Sequence, residues 1–147
     1  MVKQSFERTW KGYREKAWLE DELLPISGGS REGGRDVLGW WAATSVNSLN
    51  TLLIMNLTSE FTLAVKAIEK IDFGYTEDEE INVFDTTIRY LGGLLAAHDL
   101  CSGITKLKKE KQVLLKRAIE LEVFLLAAFD TVMKMPITRW AWRGWFP

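Results

Sequence analysis

The sequence predicts an all-α chain built from helix pairs, and three observations carry that expectation. Apolar residues recur at steps of three and four in successive segments, so each segment has one face to bury when it coils. Between those segments lie glycine-dense or acidic stretches that no helix tolerates. Period-two alternation, the mark of a half-buried strand, is missing until the C-terminal stretch ITRWAWRGWFP. Helix pairs joined by loops of unequal length suit an α/α barrel or a solenoid, and periodicity does not choose between them.

The first segment sets Phe6, Trp10, Tyr13 and Ala17 on one face, with Glu7, Lys11, Arg14 and Glu15 between them. This spacing predicts an amphipathic helix that ends near Pro25. ISGGSREGGRD follows, and its four glycines among the seven positions from Gly28 to Gly34 make it a loop. WWAATSVNSLNTLLIM is apolar around most of its circumference, which predicts a second helix buried on several sides. Thr58 is placed to cap a third, with Phe61, Val65, Ile68 and Ile71 on one face. Gly74 and the acidic run TEDEE then break the pattern, and without EF-hand spacing the run reads as a solvated loop.

A fourth helix begins near Asn82. Phe84, Ile88, Leu91 and Leu95 form one stripe on it, and Asp85, Arg89, Gly92 and Ala96 form another on a different face. The fifth runs from about Lys108 to Phe129, where Lys106, Lys108, Lys109, Lys111, Lys116 and Arg117 read as a solvated basic face near its start. In the tail, Trp140 and Trp142 are spaced by two after Pro136 and suggest one short extended end.

Composition narrows the function. The 147 residues are 47% hydrophobic, enough for one core, so residues 1–147 are read as one domain or part of one. Nineteen basic residues against 20 acidic ones leave a net charge of -1, which removes the long-range field that gathers nucleic acid. No apolar run reaches the roughly 20 residues that span a bilayer, and no leader-like segment follows Met1. Cys101, the single cysteine, allows no internal disulfide and reads as a small buried hydrophobe.

Several residues are candidates for chemistry. Asp85 and Arg89 stand at i and i+4, side by side on a helix, with Gly92, Gly93, Ala96 and Ala97 leaving space along the next turns. That pair either lines a cleft or is an ordinary surface ion pair. His98 has no His, Cys or carboxylate at helical spacing to complete a metal site, and GGSREGG lacks the Lys-Ser/Thr end of a phosphate loop. The tryptophans gather at Trp40 with Trp41 and at Trp140, Trp142 and Trp145, where rings can stack on sugars or fill a core. The tail cluster, which includes Phe146, would expose an apolar patch unless something covers it. Asn56-Leu57-Thr58 is an N-glycosylation tripeptide.

Three blocks, in order, carry a resemblance. W-K-G-Y-R-E-K-A-W-L-E-D-E-L-L-P-I-S spans Trp10 to Ser27, G-W-W-A-A-T-S-V-N-S-L-N-T-L-L-I-M-N-L spans Gly39 to Leu57, and V-F-D-T-T-I-R-Y-L-G-G-L-L-A-A spans Val83 to Ala97. Together they resemble the opening part of the class I α-mannosidases, glycoside hydrolase family 47. The resemblance implies part of an α/α barrel of seven helix pairs. It also implies calcium-dependent, inverting removal of α-1,2-linked mannose from high-mannose N-glycans or glycoproteins in the secretory pathway. Asp85 stands where the family has a glutamate assigned as general acid, and Arg89 matches an arginine that contacts mannose.

The second carboxylate and the threonine that binds calcium are expected beyond residue 147, so the chain supplies no metal ligand and is expected to be inactive alone. There are departures from the family pattern. Asp85 is one methylene shorter than glutamate, Asn47 and Asn50 replace two aspartates, and Asn56 replaces a glycine. A non-catalytic glycan-binding or quality-control module and a gene fragment without function are the alternatives. Helices meant for absent partners predict self-association through exposed apolar faces.

Overall fold

The computed structural model describes residues 1–30 and 38–144. Among them the chain forms α1 (Val2–Lys16), α2 (Ala43–Ile54), α3 (Thr58–Ile68), α4 (Val83–Asp85), a π-helical segment (Thr86–Leu91), α5 (Gly92–Leu100) and α6 (Lys108–Leu126). α4, the π segment and α5 join without leaving helical dihedrals, so residues 83–100 are one continuous helix and the predicted five are present. α5 packs on α6 and on α2, α2 on α3, and α3 on α6. Their shared core holds Val46, Leu49, Leu52, Phe61, Val65, Ile68, Leu94, Leu114 and Leu121. The apolar faces expected of the second and third helices are the faces that fill it.

α1 stops at Lys16, nine residues before Pro25, because tertiary contacts turn the chain earlier. Ala17 still donates its N–H to the Tyr13 carbonyl (2.8 Å), but Leu19 enters the left-handed region at φ 68°. The Tyr13 hydroxyl donates to the Glu20 carbonyl (2.8 Å), and Trp18 folds back against Trp10 and Tyr13 with ring centroids 5.9 and 6.0 Å apart. α1 is fixed to α3 by Glu60, which accepts from Trp10 Nε1 (2.8 Å) and Arg14 Nη1 (2.7 Å).

Tyr13 is buried against Ser45, and burial pushes its hydroxyl up to about 12. An unfolded tyrosine titrates at about 10. Between those values the folded state holds a proton that the unfolded state has released, so stability falls as pH rises. Melting temperature is therefore expected to drop as pH climbs from about 10 to about 12, and Tyr13→Phe should flatten that drop. Equal slopes for the two proteins would refute the assignment.

Trp40 and Trp41 precede α2 instead of starting it. Gly39, Trp40 and Ala42 all have positive φ (82°, 61° and 58°), and a Cβ at Gly39 would lie 2.9 Å from the Trp41 ring. Left-handed backbone costs an ordinary residue roughly 1–2 kcal/mol, so something must hold it. Asp21 does. Its carboxylate accepts from the backbone N–H of Trp40 (2.8 Å) and Ala43 (2.7 Å), and its carbonyl accepts from the Thr44 N–H (3.1 Å) and hydroxyl (2.6 Å). α2 has no side-chain cap from its own N-cap residue, so a carboxylate from 22 residues upstream satisfies its first amides.

Thr58 does not cap α3. It is the first helical residue, and Leu57 occupies the cap position without a side-chain hydrogen bond. The α2–α3 junction is too short to spare a capping residue, because the Leu57 N–H is already turned back to the Leu52 carbonyl (2.8 Å).

The tail pairs with a strand that the sequence did not show. β1 (Ile81–Asn82) runs antiparallel to β2 (Arg139–Trp140), with Ile81 opposite Trp140 and Asn82 opposite Arg139. Two residues are too few to display alternation. Trp140 and Trp142 are buried (3% and 5% exposed) by the chain itself, against Phe124 at centroid distances of 4.9 and 5.7 Å. For these two rings the chain itself is the cover that the tail cluster was expected to need, while Trp145 and Phe146 lie outside the described residues.

The TEDEE run is likewise not simply solvated. Thr76 is buried, and the Asp78 carbonyl accepts from Trp142 Nε1 (2.8 Å). Arg143 donates to the carbonyls of Thr76 (3.2 Å) and Glu77 (2.8 Å). On α6 the lysines at 108, 109 and 116, and Lys106 in the turn before it, are exposed as expected. Arg117 departs from that face, pairing with Glu120 and donating to the Ile71 carbonyl (3.0 Å).

Candidate functional site

The helix over residues 83–100 begins with a reciprocal cap. Asn82 Oδ1 accepts from the Asp85 N–H (3.1 Å), and Asn82 Nδ2 donates to Asp85 Oδ2 (2.7 Å). One turn on, Arg89 Nε donates to Asp85 Oδ1 (3.1 Å), which realises the predicted i, i+4 pair. Both carboxylate oxygens are thus held within one helix, by an amide before and a guanidinium after. The π segment starts immediately past Asp85, and the Gly92 N–H reaches the Thr87 carbonyl five residues back. Such widened turns are rare, and they occur frequently at functional sites.

Three faces, not two, organise this helix. The buried face carries Val83, Thr86, Tyr90, Gly93, Leu94 and Ala97. Tyr90 anchors it, with its hydroxyl donating to Asp21 Oδ1 (3.0 Å) and its ring edge-on to Trp41 at 5.7 Å. Gly93 does not open space as the sequence suggested. A Cβ there would meet Val46 Cγ1 at 3.1 Å, so glycine is what allows α5 to approach α2. Gly92 and Ala96 do stay exposed, beside Arg89.

The stripe of Phe84, Ile88 and Leu95 also faces outward, with Phe84 66% and Ile88 51% exposed. The exposed side therefore combines a clamped carboxylate, a guanidinium and two large apolar side chains. Sugars present both hydroxyls and apolar C–H faces, so this is a usable mixture for binding them. Leu115, Ile119, Val123 and Leu126 of α6 are exposed as well.

The remaining candidates resolve into structural roles. Trp41 is core: its indole donates to the carbonyls of Asp72 (3.1 Å) and Tyr75 (2.8 Å). His98 pairs with its neighbour Asp99 (3.0 Å), and among the described residues no group of three or more His, Cys, Asp or Glu could hold a metal. Cys101 is buried, and burial raises its thiol above the ordinary value, as expected of an unreactive hydrophobe. Asn47 bonds back to the Ala43 carbonyl (2.7 Å), and Asn50 Oδ1 is buried without a partner.

Two residues that matter to the site escaped sequence reasoning. Asn82 had a signal, since Asn followed three positions later by Asp just before an apolar run is close to the capping-box pattern. Asp21 had none in spacing, because its partners lie 19, 22 and 69 residues away.

A family model described as glycosyl hydrolase family 47 matches residues 5–145. The probable mannosyl-oligosaccharide alpha-1,2-mannosidase 1B of Neosartorya fischeri is 37% identical over 142 residues, which is 92% of this chain and 27% of that protein. The mannosyl-oligosaccharide alpha-1,2-mannosidase of Coccidioides posadasii is also 37% identical over 142 residues, covering 92% of this chain and 26% of that protein. Among solved structures, an alpha-1,2-mannosidase from Trichoderma reesei superposes with a TM-score of 0.86 at 28% identity, over 94% of this chain and 29% of that one. The chain spans about a quarter of the length of the curated relatives it matches.

Proposed function

The chain belongs to glycosyl hydrolase family 47, and from that membership we propose that residues 82–100 form the acid-side helix of an α-1,2-mannosidase acting on high-mannose N-glycans in the secretory pathway. Its fold is part of the α/α barrel of that family. The observation that carries the reading is the Asp85–Arg89 clamp on an outward face, at the start of the π segment and beside exposed Phe84 and Ile88. In an inverting hydrolysis, one carboxyl group hands a proton to the leaving glycosidic oxygen while a second carboxylate activates water across the ring. Asp85 takes the first role. Arg89 holds the carboxyl in register and donates to mannose hydroxyls.

Calcium, which the family resemblance implies, is expected on a ligand outside this chain, and among the described residues no group of three or more His, Cys, Asp or Glu could hold it. No step is therefore routed through it. A second reading, glycan binding without turnover, is favoured by one fact: both oxygens of Asp85 are already committed to Asn82 and Arg89.

Calorimetric titration of the 147-residue chain with α-1,2-linked mannose oligosaccharide tests the site. The expected result is saturable binding in the millimolar range or tighter, about -4 kcal/mol or better, lost in Arg89→Ala. Sedimentation of the same sample, concentration-dependent if the exposed α6 side chains self-associate, sets the stoichiometry. The chain alone is expected to release no mannose. No heat at millimolar ligand removes both readings, and mannose release that stops on calcium chelation removes the acid-side-only assignment.

A further inference from the structure

We propose that Asn56 is an N-glycan acceptor, carried on the outside of the α2–α3 junction. Sequence supplies the tripeptide Asn56-Leu57-Thr58, and the structure supplies what makes it usable. α2 closes with two reversed hydrogen bonds, Asn56 N–H to the Leu53 carbonyl (2.9 Å) and Leu57 N–H to the Leu52 carbonyl (2.8 Å). This is the Schellman arrangement, which requires a left-handed residue at the position Asn56 fills, and Asn56 has φ 56°. Glycine suits that conformation best, and asparagine is among the few side chains that tolerate it.

Asn56 is exposed, and among the described residues its side-chain amide makes no hydrogen bond. The junction therefore presents a free amide on a well-formed turn. Thr58 is the first residue of α3, and its hydroxyl caps nothing, so the fold uses neither polar group of the tripeptide. A glycan here would displace no packed side chain.

The step joins Asn56 Nδ2 to the anomeric carbon of a lipid-pyrophosphate-linked oligosaccharide. A C–N bond forms, the C–O bond to the pyrophosphate breaks, the lipid pyrophosphate leaves, and the amide proton passes to a base of the transferase. Occurrence in the cell rests on the secretory compartment proposed above, but acceptor competence belongs to these residues. The mannose titration neither supports nor weakens it.

The test is expression of the full chain behind a cleavable leader in a eukaryotic host, with recovery from the medium. Most of the secreted chain is expected to lose mass on peptide N-glycosidase treatment, with Asn56 converted to aspartate. Asn56→Gln and Thr58→Ala should abolish the loss and Thr58→Ser should retain it. Asn56→Gly, which keeps the left-handed turn, should be secreted unglycosylated with helical content unchanged. Secreted wild-type chain that carries no glycan at Asn56 overturns the proposal.

Discussion

Asp21→Ala is expected to cost the chain roughly 3–5 kcal/mol, a large share of the about 5–15 kcal/mol by which a folded domain is stable. Asp21 is 2% exposed, and its carboxylate accepts from Trp40 N–H, Ala43 N–H and the Tyr90 hydroxyl. Each donor orphaned in the interior costs about 1–3 kcal/mol, less whatever water can reach. The loss is compounded because the same carboxylate holds three left-handed residues ahead of α2. For a chain of this size the melting temperature should fall by about 10 °C or more. Asp21→Asn keeps the shape and one acceptor oxygen, so it should fall between the two. Thermal melts followed by circular dichroism decide the matter, and an Asp21→Ala melt that overlays the parent would show that the carboxylate caps nothing of consequence. A functional consequence follows through Tyr90, which ties the buried side of the Asp85 helix to Asp21.

Trp41→Ala is the second large effect, and it separates two uses of tryptophan. The ring is buried among Phe73, Tyr90 and Phe124 at centroid distances of 5.8, 5.7 and 5.8 Å, and its indole satisfies two loop carbonyls. Truncating such a side chain costs about 3–5 kcal/mol. Trp41→Phe should recover part of this, since it keeps ring contacts but leaves the carbonyls of Asp72 and Tyr75 without their shared donor. A ring used to stack on sugar would behave oppositely: its loss would weaken mannose binding and leave the melt where it was. Denaturant titration beside calorimetry distinguishes the two, and an unchanged midpoint for Trp41→Ala would return Trp41 to the list of sugar platforms.

Much of the fold was legible because helices write their period into the chain. Phe61, Val65 and Ile68 repeat at helical spacing, and they are the buried face of α3. The Asp85–Arg89 pair was legible for the same reason: residues four apart on a helix meet whatever surrounds them. The pattern around them was less informative. Phe84, Ile88 and Leu95 look like a core stripe yet face outward, while Thr86 and Gly93 are buried. Periodicity reports that a face exists but does not say which neighbour meets it.

Local sequence by itself determined the five helices, the Asp85–Arg89 pair and the family resemblance. Tertiary structure alone decided where α1 stops, which face of the Asp85 helix is buried, how the tail tryptophans are covered and what caps α2. The division follows the range of the forces involved. Helix period and i, i+4 pairing act within a turn or two, so they are readable from neighbours in the chain. Asp21 reaching Ala43 and Tyr90, or Trp142 reaching Asp78, depends on contacts that exist only once distant segments have already packed.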